Sequence, residues 1–288
     1  MPAKKKESIQ EIKTDEIWPF KNHPFKVIDD EAMLRTVESV SEYGVLSPLL
    51  LRPMEGGGYE VISGHRRLHA AELAGLESVP AIVRDLSDDE ATILMVDSNL
   101  QREQLLPSER AWAYRMKLEA MKHQGKRTDL EEGTSVQVAP KLSTALIAEK
   151  VGVSKDTVKR YIRLTHLIPE LLQMVDDKLI AFNPAVELSY LSEKQQKDFI
   201  EAMDYSQNTP SLSQAQRLKK LASDGKCSLD AMCAVMMEEK KDGLDKVTFK
   251  GDELRKFFPK SYTPQQMSNQ IIKLLEQWQK KRKREMSL

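Results

Sequence analysis

The chain has 288 residues, enough for two or more domains at about 100 to 200 residues each. Its 44 basic and 44 acidic side chains cancel, so no global charge argues for a nucleic-acid or membrane partner and any basic surface must be local. No apolar run approaches the ~18 residues of a membrane span, and the lysine-bearing start "MPAKKKESIQEIK" lacks an apolar signal core, which together imply an unexported cytoplasmic protein.

Residues 1–15 read as a polar, flexible N-terminus. In "IWPFKNHPFKVID", Pro19 and Pro24 disfavour helix and imply extended backbone. A helix follows in "DDEAMLRTVESVSEYG", where Met33, Leu34, Val37 and Val40 recur at helical spacing, acidic residues fill the first turn and Gly44 ends it. "PLLLRP" and "YEVI" read as strands joined by the "EGGG" turn, and "VPAIVRDL" reads as a third, with a helix from about His65 before it. Strands and helices thus alternate through Leu86, the pattern of an α/β layer.

Beyond Leu86 the chain turns helical. Ser87 and Glu90 form a capping-box pattern opening a helix to about Asp97, and Pro107 suits the first turn of another reaching about His123. "HQGKRTDLEEGTSVQVAPKL" has no usable period and reads as a loop or linker. Short helices fill Ser143 to about Lys240; Cys227 and Cys233 fall among them at a spacing that suits neither zinc nor redox chemistry, so they read as helix residues of a reduced protein. "KVTFK" is a possible strand. Thr263 and Pro264 then open a helix with Met267, Ile271, Leu274, Leu275 and Trp278 on one stripe, a packing face or dimer seam, and "KKRKR" at 280–284 reads as a solvated tail or a non-specific DNA contact.

"STALIAEKVGVSKDTVKRYIRL" has the order of a helix-turn-helix. Ile147 and Ala148 face inward where a second helix crosses closely, Gly152 permits a left-handed turn, and Val153, Val158 and Ile162 fill the angle. Ser154 is the natural N-cap of the second helix, whose outward side carries Lys155, Asp156, Thr157, Lys159, Arg160 and Arg163. Such a helix offers donors to base edges and cations to phosphates, with Lys155, Asp156, Lys159 and Arg160 suited to bases and Ser154 and Arg163 to the backbone. The competing reading is an ordinary helix pair whose charges merely solvate an outer face.

In "YEVISGHRRLHAAELAG", Gly64 lets the backbone turn close to a ligand at a helix start, and Arg66 and Arg67 add forked donors suited to phosphate oxygens. An ion pair with Glu60 or Glu72 is the structural alternative. Asn99, Gln101 and Arg102, just past a helix end, add amide and guanidinium groups that can hold phosphate or a metal's water shell. His65 and His69, four apart, are too few ligands for a metal site on their own.

"SGHRRLHAA", then "SNLQREQLLPSERA", then the helix-turn-helix resemble the ParB partition proteins and their Noc relatives, over roughly residues 12–205. The resemblance implies an α+β fold: a small α/β N-terminal nucleotide-binding domain, an all-α helix-turn-helix domain and a short C-terminal helical segment. It implies a CTP pocket in which Gly64, Arg66 and Arg67 match a G-E-R-R box, while Asn99, Leu100, Gln101 and Arg102 match an E-N-x-Q-R box near the triphosphate and Mg²⁺, with Asn99 nearest the metal. It further implies a homodimer that binds a palindromic centromere-like DNA site, closes into a clamp with CTP, slides on DNA, sits on nucleoid or plasmid and works with a ParA-type ATPase. Three departures bear on this. His65 and Ser98 replace the two glutamates of the boxes, and "NHPFKV" puts His23 and Phe25 where a Gln and an Arg are expected. The phosphate arginines remain while a carboxylate that could position water or metal is missing, so nucleotide binding survives better than a CTPase activity; Asp97 and Glu103 are out of register. The expected division is 1–15 flexible, 16–123 N-terminal domain, 124–142 linker, 143–210 DNA-binding domain and 211–288 C-terminal dimerisation segment.

Overall fold

The computed structural model describes residues 8–102, 104–132, 139–238, 254, 256–259 and 261–285. Residues 1–237 form one compact unit and 238–288 a second.

A five-stranded mixed sheet opens the chain: β1 (Ile9–Lys13), β2 (Ile17–Trp18), β3 (Leu49–Pro53), β4 (Tyr59–Ser63) and β5 (Ser78–Val83), in the spatial order β1-β5-β3-β4-β2. β1 pairs antiparallel with β5, β5 runs parallel to β3, β3 pairs antiparallel with β4, and β4 runs parallel to β2. The continuous apolar run of β3 follows from burial on both faces. Leu49, Leu51 and Val61 join Met33, Val40, Leu68 and Ala70 of α1 (Glu31–Tyr43) and α2 (His65–Leu73) on one side. Leu50 and Ile62 point the other way, to Phe20, Phe25 and the apolar faces of α3 (Asp88–Asn99) and α4 (Pro107–Glu132). The expected capping box at Ser87 and Glu90 is present, with the Ser87 amide donating to Glu90 Oε2 at 2.9 Å.

Two expectations are corrected here. Part of the stretch read as a flexible N-terminus is the edge strand β1, where only Ile12 is buried and the strand signal is weak because one face meets solvent. The helix from Pro107 does not stop near His123 but continues to Glu132, and α5 (Ala139–Val151) begins within the stretch read as linker. The "KVTFK" strand lies at 246–250, outside the described residues.

α5 and α6 (Lys155–Leu164) form the helix pair, followed by α7 (Pro169–Asp176), α8 (Phe182–Leu188), α9 (Glu193–Ser206), α10 (Leu212–Ser223) and α11 (Leu229–Met237). Their main core gathers Leu164, Leu171, Leu188, Phe199, Leu218 and Met232. Cys227 is buried in the turn between α10 and α11, not on a helix, and Cys233 lies on α11; both are free thiols.

α4 holds the unit together, because Ala111 belongs to the helical core, Ala113 to the sheet-side core and Tyr114 to the core of the helix pair. Its N-terminus is fastened from two sides: Asp176 of α7 accepts from the Ser108 amide at 2.9 Å, and Glu109 accepts from the Lys26 amide at 2.8 Å. In the second unit α12 (Pro264–Glu285) carries the expected stripe, with Leu274, Leu275 and Trp278 exposed, and runs through the "KKRKR" segment. Among the described residues no helix is long and apolar enough to cross a membrane.

Candidate functional site

The helix pair has the geometry its sequence implied. Gly152 takes φ +71°, a backbone region that costs glycine little, and Ile147, Ala148 and Val158 are buried against Tyr114. Ser154 caps α6, its hydroxyl accepting from the Thr157 amide at 3.0 Å. Ser154→Ala is expected to lower folding stability by about 1 kcal/mol, the usual loss of such a cap, which urea melts of the variant and the native chain check.

The outer side of α6 is not uniform. Lys155, Asp156 and Lys159 are exposed, Lys159 Nζ lying 3.5 Å from Asp156 Oδ1. Thr157 is half-buried and shares its hydroxyl with Ser154 at 2.9 Å. Arg160 donates to Asn183 Oδ1 at 2.5 Å and lies over the Phe182 ring at 5.3 Å. Arg163 donates to the Ser189 carbonyl at 2.7 Å and hydroxyl at 3.1 Å and stacks on Tyr190 at 4.0 Å, so its guanidinium braces α6 against the end of α8. Lys219 Nζ also lies over the Tyr190 ring, 3.7 Å from its centroid. Asn183 of α8, Tyr190 of the turn after it and Lys219 of α10 thus join this surface from downstream; no spacing in the sequence signals them.

At the start of α2, Gly64 takes φ +107° in the left-handed region, and a Cβ built there would lie 3.1 Å from both Arg67 Nη2 and Leu49 Cγ. Arg67 is held by backbone carbonyls, donating to those of Ser47 and, at 3.0 Å, Pro48, and burial lowers its basicity. Arg66 donates to Asp30 Oδ1 at 3.1 Å. The expected alternative partners are otherwise engaged: Glu60 pairs with Arg52 at 2.6 Å, and Glu72 faces His69.

The "NHPFKV" segment meets this turn. The His23 and His65 rings stack with centroids 3.8 Å apart and a 32° tilt, and Arg102 lies over the Phe25 ring at 5.9 Å. His65 is buried, and among the described residues neither its Nε2 nor that of His23 has a hydrogen-bond partner. A buried polar atom left unpaired costs about 1 to 3 kcal/mol, so each is a place where a ligand gains by binding. Burial holds the His65 imidazole down to about 3, helped by His23 and Arg102, and the His23 imidazole to about 4 against the raising effect of the Phe25 carbonyl. Burial also lowers Arg102, with Arg66 nearby adding to it. Arg102 therefore acts on a pair of neutral imidazoles at the N-terminus of a helix that also carries Arg66 and Arg67, an arrangement suited to an anion.

The E-N-x-Q-R match is less open. Asn99 is only 4% exposed and its amide donates to the Met95 carbonyl of its own helix at 2.8 Å, while Gln101 is exposed and Leu100 packs into the cores beside α4. Asp97 is taken by two lysines, Lys117 and Lys150, the latter at 2.6 Å. Glu103 lies outside the described residues. The donor set suits a nucleotide polyphosphate. It does not suit a divalent cation, since Ser98 and His65 stand at the carboxylate positions and no group of three or more His, Cys, Asp or Glu gathers among the described residues. A separate cavity of about 850 Å³ opens between the 22–26 segment, α3, α4 and α7, reached by His23 and Trp112 but by none of these arginines.

Comparison with known proteins adds the family. Residues 2–100 match the ParB N-terminal domain and residues 130–224 the ParB HTH domain. The chain is 38% identical over 160 residues to the chromosome-partitioning protein Spo0J of Thermus thermophilus, a stretch covering 56% of this chain and 52% of that one. It is 34% identical over 188 residues to the stage 0 sporulation protein J of Bacillus subtilis, covering 65% and 60%. The chain thus spans about half to three fifths of the curated relatives' length. A solved structure, the C-terminally truncated chromosome-partitioning protein ParB from Caulobacter crescentus complexed with CTP-gamma-S, is 24% identical, with a TM-score of 0.32, over 67% of this chain and 99% of that one. With both domain models matched in order and covering more than half of its length, the chain belongs to the ParB family.

Proposed function

We propose that this chain is a DNA partition protein that reads a specific palindromic site through α6 and binds CTP at the turn formed by Gly64, His65, Arg66 and Arg67 together with Arg102. One observation carries the reading: a capped helix with exposed Lys155 and Lys159 is fastened through α4 to a separate cluster of guanidinium groups around a helix N-terminus. In this reading Lys155, Asp156, Lys159 and Arg160 contact bases, Ser154 and Thr157 contact the phosphate backbone, and Arg163 positions α6. Arg66, Arg67 and Arg102 hold the triphosphate, with Gln101 at the pocket's rim and Asn99 setting the end of α3. CTP binding closes a homodimer as a clamp on DNA, and α12 supplies a dimer seam through Leu274, Leu275 and Trp278. A ParA-type ATPase is the partner in segregating a nucleoid or plasmid. Any CTPase activity is weak, because no carboxylate stands in register to position water.

Selection of DNA from a random pool with and without CTP tests both halves. The expected outcome is a palindromic site in which Lys159→Ala weakens binding, and CTP-dependent retention on closed circular DNA carrying that site. Binding to a site with no response to CTP would favour a second reading, a helix-turn-helix transcription regulator on the same scaffold. His65, Ser98 and the inward-turned Asn99 amide support that alternative.

A further inference from the structure

The nucleotide reading places His65 at the binding turn but gives no task to His23, stacked on it, or to the unpartnered Nε2 of either ring. Its chemistry can be resolved atom by atom. His23 Nδ1 lies 2.7 Å from the Phe25 carbonyl oxygen, which can only accept, so in the neutral ring the proton sits on Nδ1 and Nε2 is a bare acceptor. That Nε2 is buried and has no donor among the described residues; the stacked His65, 7% exposed, repeats the situation with its own Nε2. The charges around the pair are cationic on balance: Arg102 from the turn after α3 acts on both rings, Arg66 of α2 acts on Arg102, and Glu109 at the start of α4 acts on Arg102 with the opposite sign. Glu109 is itself held by the Lys26 and Leu106 amides.

We infer that His23 and His65 are ligand-contacting residues of the nucleotide pocket, and that a bound polyphosphate draws a proton onto the pair, so that binding takes up protons where a carboxylate-bearing pocket would take up magnesium. This rests on the nucleotide reading above. Three facts converge on it. The rings occupy the turn where phosphate-binding amides and arginines meet. The unpartnered Nε2 of His23 can be satisfied only by a donor or a proton, and a proton on the pair lets an imidazole donate to a phosphate oxygen. And a polyanion held at Arg102 brings negative charge to the rings and offsets the one guanidinium that, after burial, disfavours their protonation. The proton balance is simple: one proton moves from solvent to an imidazole Nε2, giving an N–H donor to a phosphate oxygen, and no bond is made or broken in the nucleotide. The sign follows, since a ligand that raises an imidazole's pKa is bound more tightly as pH falls.

Isothermal titration of the full chain with CTP at pH 6, 7 and 8, in EDTA and in magnesium chloride, and in two buffers of different ionisation enthalpy, measures the affinity and the proton count together. The expected result is tighter binding toward acid, by up to about tenfold per pH unit for each proton taken up, with net proton uptake and little change on adding magnesium. The double variant H23Q/H65Q is expected to lose the proton uptake and flatten the pH profile, and H65E, which installs a carboxylate, to make binding depend on magnesium. CTP binding by the native chain without proton uptake, or only with magnesium, overturns the inference while leaving the nucleotide reading intact. No CTP binding at any of these pH values overturns that reading itself, and both measurements on the native chain hold whether or not the variants fold.

Discussion

Replacing Asp97 with alanine is expected to destabilise the fold by about 3 to 5 kcal/mol, the range for removing one partner of a buried ion pair. Asp97 sits near the end of α3 and is shared by Lys117 of α4 and Lys150 of α5, so one carboxylate ties the helix that ends at Asn99 to the first helix of the α5–α6 pair. The burden falls on Lys117, whose side chain is 4% exposed and would be left as an uncompensated buried charge. Lys150 is 57% exposed, and its loss is expected to cost under about 1 kcal/mol, because water and salt screen such a pair. Urea unfolding of D97A, K150A and the native chain checks this; equal, small losses for the two variants would refute the asymmetry. A double variant D97A/K117M, which removes both buried charges, is expected to recover much of what D97A loses.

The second large effect is expected at Gly64. Valine there must adopt φ +107°, at about 1 to 3 kcal/mol for a residue with a Cβ, and that Cβ would press on Leu49 Cγ and on the Arg67 guanidinium, both 3.1 Å away. Leu49 is fully buried in β3 and cannot yield easily, so Arg67 moves and its bonds to the Ser47 and Pro48 carbonyls are broken. G64V is therefore expected to lose CTP affinity by more than about tenfold, out of proportion to its stability loss. Gly44 is the control: it also has positive φ, +70°, but a Cβ there meets nothing within 4 Å, so G44A should share the backbone strain and keep nucleotide affinity. Parallel CTP titrations and thermal melts of the two variants separate strain from displacement of Arg67; equal affinities would exclude the role given to the Gly64 turn.

Local chemistry made much of this architecture legible. Ser87 with Glu90, Ser154 with Thr157 and Gly152 at its left-handed turn are signals written within four residues, and each has the hydrogen bond or dihedral that its spacing implied. The strand β3 was visible as an unbroken leucine run between prolines. The failures were of two physical kinds. β1 alternates weakly because it is an edge strand with one wet face, and α4 continues to Glu132 through a stretch whose Gly, Thr and charge content has no helical period. Nor could any linear pattern have joined His23 to His65, Lys26 to Glu109 or Arg163 to Ser189; these contacts exist only once distant segments meet.

Ala111, Ala113 and Tyr114 occupy nearly a single turn of α4, and each looks toward a different neighbourhood. An α-helix advances about 100° per residue, so spinning α4 about its own axis by one step would drive the tyrosine ring into a gap sized for a methyl group. Rotation is thereby forbidden to it, and only tilting or lengthwise sliding is left. Any coupling between the arginine cluster and the α5–α6 pair that runs through this rod is therefore carried as a lean or a push, not as a twist.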